Sequence, residues 1–280
     1  LITDQNLVVD SGTVNVNTAN DLDGITGGIV TASIATDSTV DSLATLTGTN
    51  NAYTITIAAA DATGSTAAEL TAIDNATSVT VDVSAITSIE GTYGEITALY
   101  GSSGVSGFGD ESITITGGSL SVTEANVIDA LTTGTVTASI VTTETVDSLK
   151  TLTGTNNAYT IVISETAATA SDLNAINVLT TATVDLTNVT SVTSSALSDL
   201  DTLSTAINAS PAQFINATNL ETSAVSDSEI DITSSEETID SLDAIDADSI
   251  GMTMASGATI NVDATEVTAM LADEGAGRFT

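Results

Sequence analysis

Short stretches in which every second residue is apolar recur along the chain and predict β-strands. In one of them Val30, Ala32 and Ile34 alternate with Thr and Ser, which is the pattern of a strand with one buried face. Similar stretches begin near ten positions, and most of the gaps between them are 23 to 25 residues long: Val14, Val30, Thr54, Val79, Ile113, Val136, Thr160, Val184, Ile230 and Ile260. The gap of 46 residues after Val184 predicts one further, weakly marked unit.

Apolar residues three or four positions apart follow most of these stretches and predict short amphipathic helices. The stripes are Val40, Leu43 and Leu46; Leu70 and Ile73; Ile96 and Leu99; Val146, Leu149 and Leu152; Leu173, Ile176 and Leu179; and Ile239, Leu242 and Ile245. Four helix starts fit the capping box, a Ser or Thr followed three residues later by an acid: Ser38 with Asp41, Thr66 with Glu69, Thr169 with Asp172 and Ser234 with Glu237. Pro211 is predicted at the first position of a helix.

Part of the sequence is written twice with few changes. Residues 28–57 and 134–163 are identical at 24 of 30 positions, and residues 78–89 match residues 181–192 at a slightly shorter offset. These matches predict one continuous array made of two homologous blocks, approximately residues 1–133 and 134–280. Such repetition is typical of folds in which each unit stacks on a near-identical neighbour.

The predicted fold is therefore α/β, a repeat solenoid of short parallel β-strands that are each followed by a short helix. One strand and one short helix cannot bury an apolar face alone, but stacked copies can. The coils are about 24 residues long. With parallel strands about 4.8 Å apart, roughly ten coils would make an elongated rod on the order of 50 Å long.

The composition indicates a thin core and a strongly acidic surface. The 280 residues include 37 Asp and Glu but only two cationic side chains, Lys150 and Arg278, so the formal charge is -35. Dissolved ions screen such a charge in seawater, at a cell exterior or in a calcium-rich medium, which favours an extracellular protein. Because the sequence begins with Leu and repeats run close to both ends, it is expected to be a mature fragment or the ordered part of a longer protein.

Missing residue types disfavour several functional classes. Without His or Cys, neither a Ser-His-Asp nor a Cys-His site can be assembled, and no enzyme and no cofactor are expected. A carboxylate pair of the glycosidase kind stays arithmetically possible, but such sites usually need more aromatic residues than the three Phe and four Tyr here. Binding to nucleic acid requires cations that the chain lacks, and no apolar run is long enough to predict membrane insertion.

Carboxylates are the only candidate functional groups. Residues 20–24, Asn-Asp-Leu-Asp-Gly, faintly resemble a calcium loop, so Asp21 and Asp23 are weak metal candidates, although the Glu that completes an EF-hand loop is missing. The acidic segment 241–249 is a second cation candidate. A solvated turn is the alternative for residues 20–24, and diffuse screening by divalent ions such as calcium is an alternative to any tight site.

Other polar and aromatic positions have ordinary structural interpretations. Acids in first helical turns are favoured by the helix dipole, and this explains Asp41, Glu69, Glu124, Asp147 and Asp172. An outward array of the kind found in ice-binding proteins is conceivable at Thr31, Thr54, Thr56, Thr80 and Thr114. Ser33, Asp82 and Val162 interrupt that array, which favours plain strand preference. Tyr53 and Tyr159 are expected to pack in a turn rather than to bind sugars.

Residues 87–134 carry a longer pattern, which combines a Leu-Tyr-x-Ser-Ser-Gly segment, an acidic turn with spaced glycines and an Ile-Thr strand. Its residues are Gly91, Ala98, Leu99, Tyr100, Ser102, Ser103, Gly104, Gly107, Gly109, Glu111 and Ile113. In this stretch the chain resembles the large acidic repeat proteins of marine unicellular cyanobacteria, rich in Thr, Ala, Ser and Val, and related structural proteins of their phages. The second block lacks the glycines at residues 195–214. The resemblance implies a structural role at a cell surface or in a virion.

The leading hypothesis is a non-catalytic extracellular or cell-surface protein that forms a coat, stalk or filament. Terminal coils need a polar cap or another copy, so the expected partners are copies of the chain itself, with divalent cations as a further candidate. The alternatives are a virion fibre or decoration protein of a marine cyanophage, and a calcium-dependent adhesin or binding module. No nucleic-acid partner is expected.

Overall fold

A computed structural model describes residues 3–58, 64–193 and 196–217, and the backbone of four short strands at 223–225, 229–232, 252–254 and 259–262. The chain divides into two compact units, Leu1–Ser139 and Ile140–Thr280. The boundaries of the two predicted homologous blocks stay a prediction.

Short helices alternate with short strands throughout the described residues. The helices of the first unit are α1 (Val16–Ile25), α2 (Val40–Leu43), α3 (Ala67–Asn75), α4 (Tyr93–Tyr100) and α5 (Val122–Asp129). Those of the second unit are α6 (Val146–Leu149), α7 (Ala170–Asn177) and α8 (Leu197–Asn208). Five of them coincide with predicted apolar stripes, namely α2, α3, α4, α6 and α7, whereas α1 and α8 were not predicted. The stripe at residues 239–245 lies outside the described residues.

Every observed strand is short. The strands of the first unit are β1 (Leu7–Val14), β2 (Val30–Ile34), β3 (Ala52–Thr54), β4 (Ser65–Thr66), β5 (Val81–Asp82), β6 (Ser88–Gly91), β7 (Val105–Ser106), β8 (Ser112–Ile115) and β9 (Val136–Ser139). Those of the second unit are β10 (Ala158–Val162), β11 (Ala167–Thr169), β12 (Val184–Asp185), β13 (Ser191–Thr193), β14 (Phe214–Ile215), β15 (Ser223–Val225), β16 (Glu229–Ile232), β17 (Met252–Met254) and β18 (Thr259–Val262).

All pairs within each unit are parallel. In the first unit the strands pair in the orders β1-β2-β3, β5-β7 and β4-β6-β8-β9. In the second unit the orders are β10-β12-β14, β11-β13, β15-β17 and β16-β18. The fold is therefore α/β, with parallel strands that alternate with short helices, as the sequence predicts.

The pairing register places apolar residues opposite one another in the core. In the first unit Ile89 lies opposite Ile113, which lies opposite Val136. In the second unit Ile161, Val184 and Phe214 form an equivalent row. All of these side chains are buried, together with the helix residues Ile73, Ile96, Ile128, Leu173 and Leu200. The core therefore lies between strands and helices and is filled mainly by branched aliphatic side chains.

The predicted strand positions are confirmed with small shifts. Apart from Val14, where β1 ends rather than begins, each lies within two residues of an observed strand start. The weakly marked unit predicted after Val184 is present, as β13, α8 and β14. Val79 was expected in the buried row of its strand, but it is exposed because β5 begins two residues later, at Val81.

The prediction of one strand before each helix is wrong for α3, α4, α5, α7 and α8, each of which follows two strands. A side-chain turn separates β5 from β6, because Asp82 Oδ1 accepts the backbone N–H of Ser84 at 2.9 Å. Asp185 and Thr187 make the same turn between β12 and β13, at 2.8 Å. The turn bends the chain between two strand segments that are too short to show an alternating pattern.

Pro211 was expected at the start of a helix, and this prediction is wrong. Helix α8 ends at Asn208, and Pro211 lies in the connection from that helix to β14. The helix begins earlier because its buried residues, Leu200, Leu203 and Ala206, extend the apolar stripe towards its N-terminus.

Candidate functional site

The two weak metal candidates occupy different faces of α1. Asp21 is exposed, whereas Asp23 is half-buried and accepts hydrogen bonds from Thr47 Oγ1 at 2.8 Å and Asn51 Nδ2 at 2.9 Å. Side chains two positions apart on a helix point about 200° apart, so the two carboxylates do not converge. Asp23 instead joins α1 to the turn before β3. The acidic segment 241–249 lies outside the described residues.

Asn51 is the centre of that connection. Its side chain is buried, its Oδ1 accepts the backbone N–H of Val30 at 2.8 Å, and its Nδ2 also reaches the carbonyl of Thr47 at 3.3 Å. Asn157, the equivalent residue of the second unit, is likewise buried, and its Nδ2 donates to the hydroxyl of Tyr159 at 3.1 Å. Much of the repeated Thr-Asn-Asn-Ala-Tyr motif is therefore buried turn chemistry.

Burial of the two repeated tyrosines confirms that they are packing residues. Tyr53 and Tyr159 have no exposed side-chain surface, so neither ring can serve as a platform for a sugar. Tyr53 donates to the carbonyl of Ala19 at 3.3 Å. Burial, and then the nearby charge of Asp23, raise the pKa of Tyr53 to about 12.

A series of turn hydroxyls, which the sequence analysis missed, follows five of the helices: Thr26, Thr77, Ser102, Thr132 and Thr180. Each hydroxyl accepts the backbone N–H two residues later, for example Val79 N–H to Thr77 at 3.1 Å and Ala182 N–H to Thr180 at 3.1 Å. Four of them also donate to a carbonyl of a neighbouring segment, as Thr77 does to Tyr53 at 2.8 Å. The recurrence of a Ser or Thr two residues before the next strand segment was the available signal.

The stretch that carries the resemblance to cyanobacterial repeat proteins closes on a buried carboxylate. Glu111 is almost fully buried and accepts hydrogen bonds from the hydroxyl of Tyr100 and from the backbone N–H of Gly109, the latter at 2.8 Å. The Tyr100 ring stacks on Phe108 with centroids 4.1 Å apart. Burial and the bond to Glu111 raise the pKa of Tyr100. These residues fasten a glycine-rich loop.

Acids lie in the first turn of each described helix except α1: Asp41, Glu69, Glu95, Glu124, Asp147, Asp172 and Asp199. Complete capping boxes begin α3, α4 and α5, where backbone N–H groups of Thr66, Thr92 and Ser121 donate to the glutamates at 2.9, 2.8 and 2.9 Å. These backbone bonds lower the pKa values of Glu69, Glu95 and Glu124. The first-turn prediction is thus confirmed.

The four predicted capping boxes have different outcomes. The pair Thr66 and Glu69 is confirmed, and Thr169 caps α7 by accepting the N–H of Asp172 at 3.1 Å. Ser38 is wrong, because Thr39 is the N-cap of α2 while the backbone N–H of Ser38 is held in a turn by Ala35. The pair at residues 234 and 237 lies outside the described residues.

Lys150 lies at the junction of α6 and α7, between two acids. Its Nζ is 2.9 Å from Asp147 Oδ1 and 2.6 Å from Asp172 Oδ1. Partial burial acts to raise the pKa of Asp172, but the hydrogen bonds from Lys150 and Thr169 hold it below its usual value. An open groove of about 400 Å³ runs beside this junction and is lined by Asp147, Asp172 and Glu165, among others.

The outward threonines are exposed as predicted: Thr31, Thr54, Thr56, Thr80 and Thr114. They do not form an unbroken array. In the register of the first unit, Thr66 lies opposite Glu90, which lies opposite Thr114 and then Thr137. A charged residue in the middle of this row agrees with ordinary strand preference.

Within the described ranges, no cluster of three or more His, Cys, Asp or Glu side chains is arranged to hold a metal ion. The helices of the same ranges are all too short or too polar to cross a bilayer. Comparison with protein families, curated proteins and solved structures finds no match to this chain.

Proposed function

We propose that this chain is a non-catalytic extracellular structural protein that forms a surface coat, stalk or filament. In this proposal the units stack as a solenoid, and copies of the chain associate with one another. The observation that carries it is the constant step between paired strands. Ser65 pairs with Ile89 and Ile89 with Ile113, each 24 residues further on, and Ile113 pairs with Val136 after 23 residues.

A constant step favours a structural role because it repeats one packing solution and gives the surface no large cavity to specialise. The residues that recur are those that stacking needs: buried aliphatic rows, turn hydroxyls and capped helices. The absence of His and Cys from the 280 residues removes the groups on which most catalytic sites near neutral pH depend.

Self-association is supported by the outer edge of β1. Among the described residues β1 has one strand partner, β2, and its Val8 is 62% exposed. An uncovered strand edge offers backbone N–H and C=O groups for pairing with another chain. The acidic surface would oppose such contact at low salt and permit it where ions screen the charge.

Negative-stain electron microscopy and sedimentation velocity test this proposal, at 10 and 500 mM NaCl. Filaments, lattices or a concentration-dependent series of oligomers at the higher salt are expected. A matched variant, Val8→Lys, adds a charge to the exposed edge and should reduce assembly without changing the circular dichroism spectrum. A chain that stays monomeric in every condition would contradict the proposal.

A further inference from the structure

The junctions α2–α3 and α6–α7 are built from the same sequence with one difference that changes charge. Residues 39–57 and 145–163 differ at two positions, and one of these is Ala44 in the first unit and Lys150 in the second. The two residues end their helices with the same backbone geometry, φ -64° and ψ -11° at Ala44 and φ -62° and ψ -12° at Lys150. The N-caps, Thr39 and Thr145, make equal bonds of 3.2 Å. A lysine at position 44 would therefore leave the backbone in the same direction.

The carboxylates at the two junctions are also equivalent. Asp147 and Asp172 of the second unit correspond to Asp41 and Glu69 of the first, each in the first turn of its helix. In the second unit the Lys150 ammonium holds both carboxylates, at 2.9 and 2.6 Å. The second unit therefore shows which kind of ligand these paired acids take, namely a cation.

In the first unit the two carboxyl groups meet without that ammonium. Asp41 and Glu69 lie within hydrogen-bonding reach of each other. Ionised carboxylates are acceptors only and repel one another, so something positive has to lie between them. Asp41 is exposed, and solvation near the surface keeps carboxylates ionised at neutral pH, which favours a dissolved cation over a shared proton.

We propose that Asp41 and Glu69 bind a hard divalent cation such as calcium, in the place that the Lys150 ammonium fills between Asp147 and Asp172. Two carboxylates with water in the remaining positions make a weak site, in the range of about 10⁻⁴ to 10⁻³ M that is typical of extracellular calcium modules. The cation would tie α2 to α3 as Lys150 ties α6 to α7. This inference does not depend on the coat or filament function.

Exchanging the two residues tests the proposal. The variants are Ala44→Lys and Lys150→Ala, compared with the parent by thermal unfolding in 0 to 10 mM calcium chloride, with NaCl adjusted to constant ionic strength. The parent should gain about 3 °C from calcium. Ala44→Lys should be stabilised without calcium and lose the calcium-specific gain. Lys150→Ala should be destabilised without calcium and show a larger gain, with one additional calcium bound in titration calorimetry.

A second variant keeps the test decisive if Ala44→Lys does not fold. Glu69→Gln removes the charge but preserves a capping box, since Gln can replace Glu at that helix position. It should lose the calcium-specific gain, whereas the matched change Glu95→Gln in α4 should retain it. Equal calcium responses in all variants would indicate diffuse screening and overturn the proposal. A parent without any calcium response, whose junction responds only to pH, would show a shared proton and overturn it as well.

Discussion

At the scale of single residues, buried hydroxyls do work that backbone pairing does in longer sheets. Where a strand segment has only two to four residues, its ends leave N–H and C=O groups that must find partners elsewhere. Thr77 supplies three such bonds: it accepts from Tyr53 N–H at 3.0 Å and Val79 N–H at 3.1 Å, and it donates to Tyr53 C=O at 2.8 Å. The abundance of Thr in this chain therefore has a structural cause beyond strand preference.

Replacing Thr77 with Val should destabilise the protein by about 2 to 3 kcal/mol, because buried backbone groups lose partners while the side-chain shape is kept. Urea unfolding monitored by circular dichroism measures the loss. Thr77→Ser, which keeps the hydroxyl, should cost clearly less. Thr49→Val, at an exposed position, should change stability by no more than about 0.5 kcal/mol. Equal losses for Thr77→Val and Thr77→Ser would contradict the role of the hydroxyl.

Tyr53 should make the protein sensitive to alkali. The folded state raises its pKa to about 12, above the usual value of about 10. A raised pKa stabilises the fold below the unfolded value, and this contribution is lost as pH rises from about 10 through 12. Tyr53→Phe cannot ionise, so its free energy of unfolding should fall less over that range than the parent's. Identical slopes in urea titrations at pH 9, 10 and 11.5 would refute this expectation.

At the scale of elements, each short helix depends on its first turn. Helices of four to twelve residues are marginal alone, and caps and packing of one apolar face decide whether they form. Glycines serve the connections: a Cβ at Gly134 would lie 2.5 Å from the carbonyl oxygen of Glu111, and one at Gly28 would lie 2.6 Å from that of Gln5. The Gly at this repeated position is required by close approach of two backbones.

The capping glutamates should contribute to acid sensitivity. Backbone bonds from Thr92 and Ser121 lower the pKa values of Glu95 and Glu124, so their contribution is present above the unfolded value of about 4.3. It is lost as pH falls through the lower folded values. The variant Glu95→Gln with Glu124→Gln should therefore lose less stability between pH 6 and pH 3 than the parent does.

The matched control for that variant removes two exposed acids outside capping boxes, by Asp10→Asn with Asp21→Asn. It corrects for the general benefit of lowering the negative charge. If both double variants flatten the pH dependence equally, the capping bonds are not the cause.

At the scale of the whole molecule, the formal charge of -35 dominates the response to solvent. The two cationic side chains cannot neutralise it, so acids across the surface repel one another. Salt should raise the thermal midpoint, since the Debye length falls from about 30 Å at 0.01 M to about 3 Å at 1 M. Circular dichroism melts in NaCl and KCl should give the same rise at equal ionic strength. A midpoint that does not change with salt would be inconsistent with this expectation.

Alternation, apolar stripes and internal repetition determined the class of this fold. They located the main strands to within two residues, five of the helices, and the first-turn position of the acids, because each of these depends on neighbours within one or two turns of chain. The burial of Tyr53 and Tyr159 was also readable, since both follow the same turn sequence before an alternating strand.

Other features were decided only by the tertiary structure. The second strand of each unit, at two to four residues, is too short for a pattern and exists because a partner strand lies in register beside it. The role of Asp23, the turn hydroxyls, and the meeting of Asp41 with Glu69 all join residues more than twenty positions apart. Sequence spacing specifies the elements, whereas the contacts between successive units specify which polar groups meet, because only stacking brings equivalent positions together.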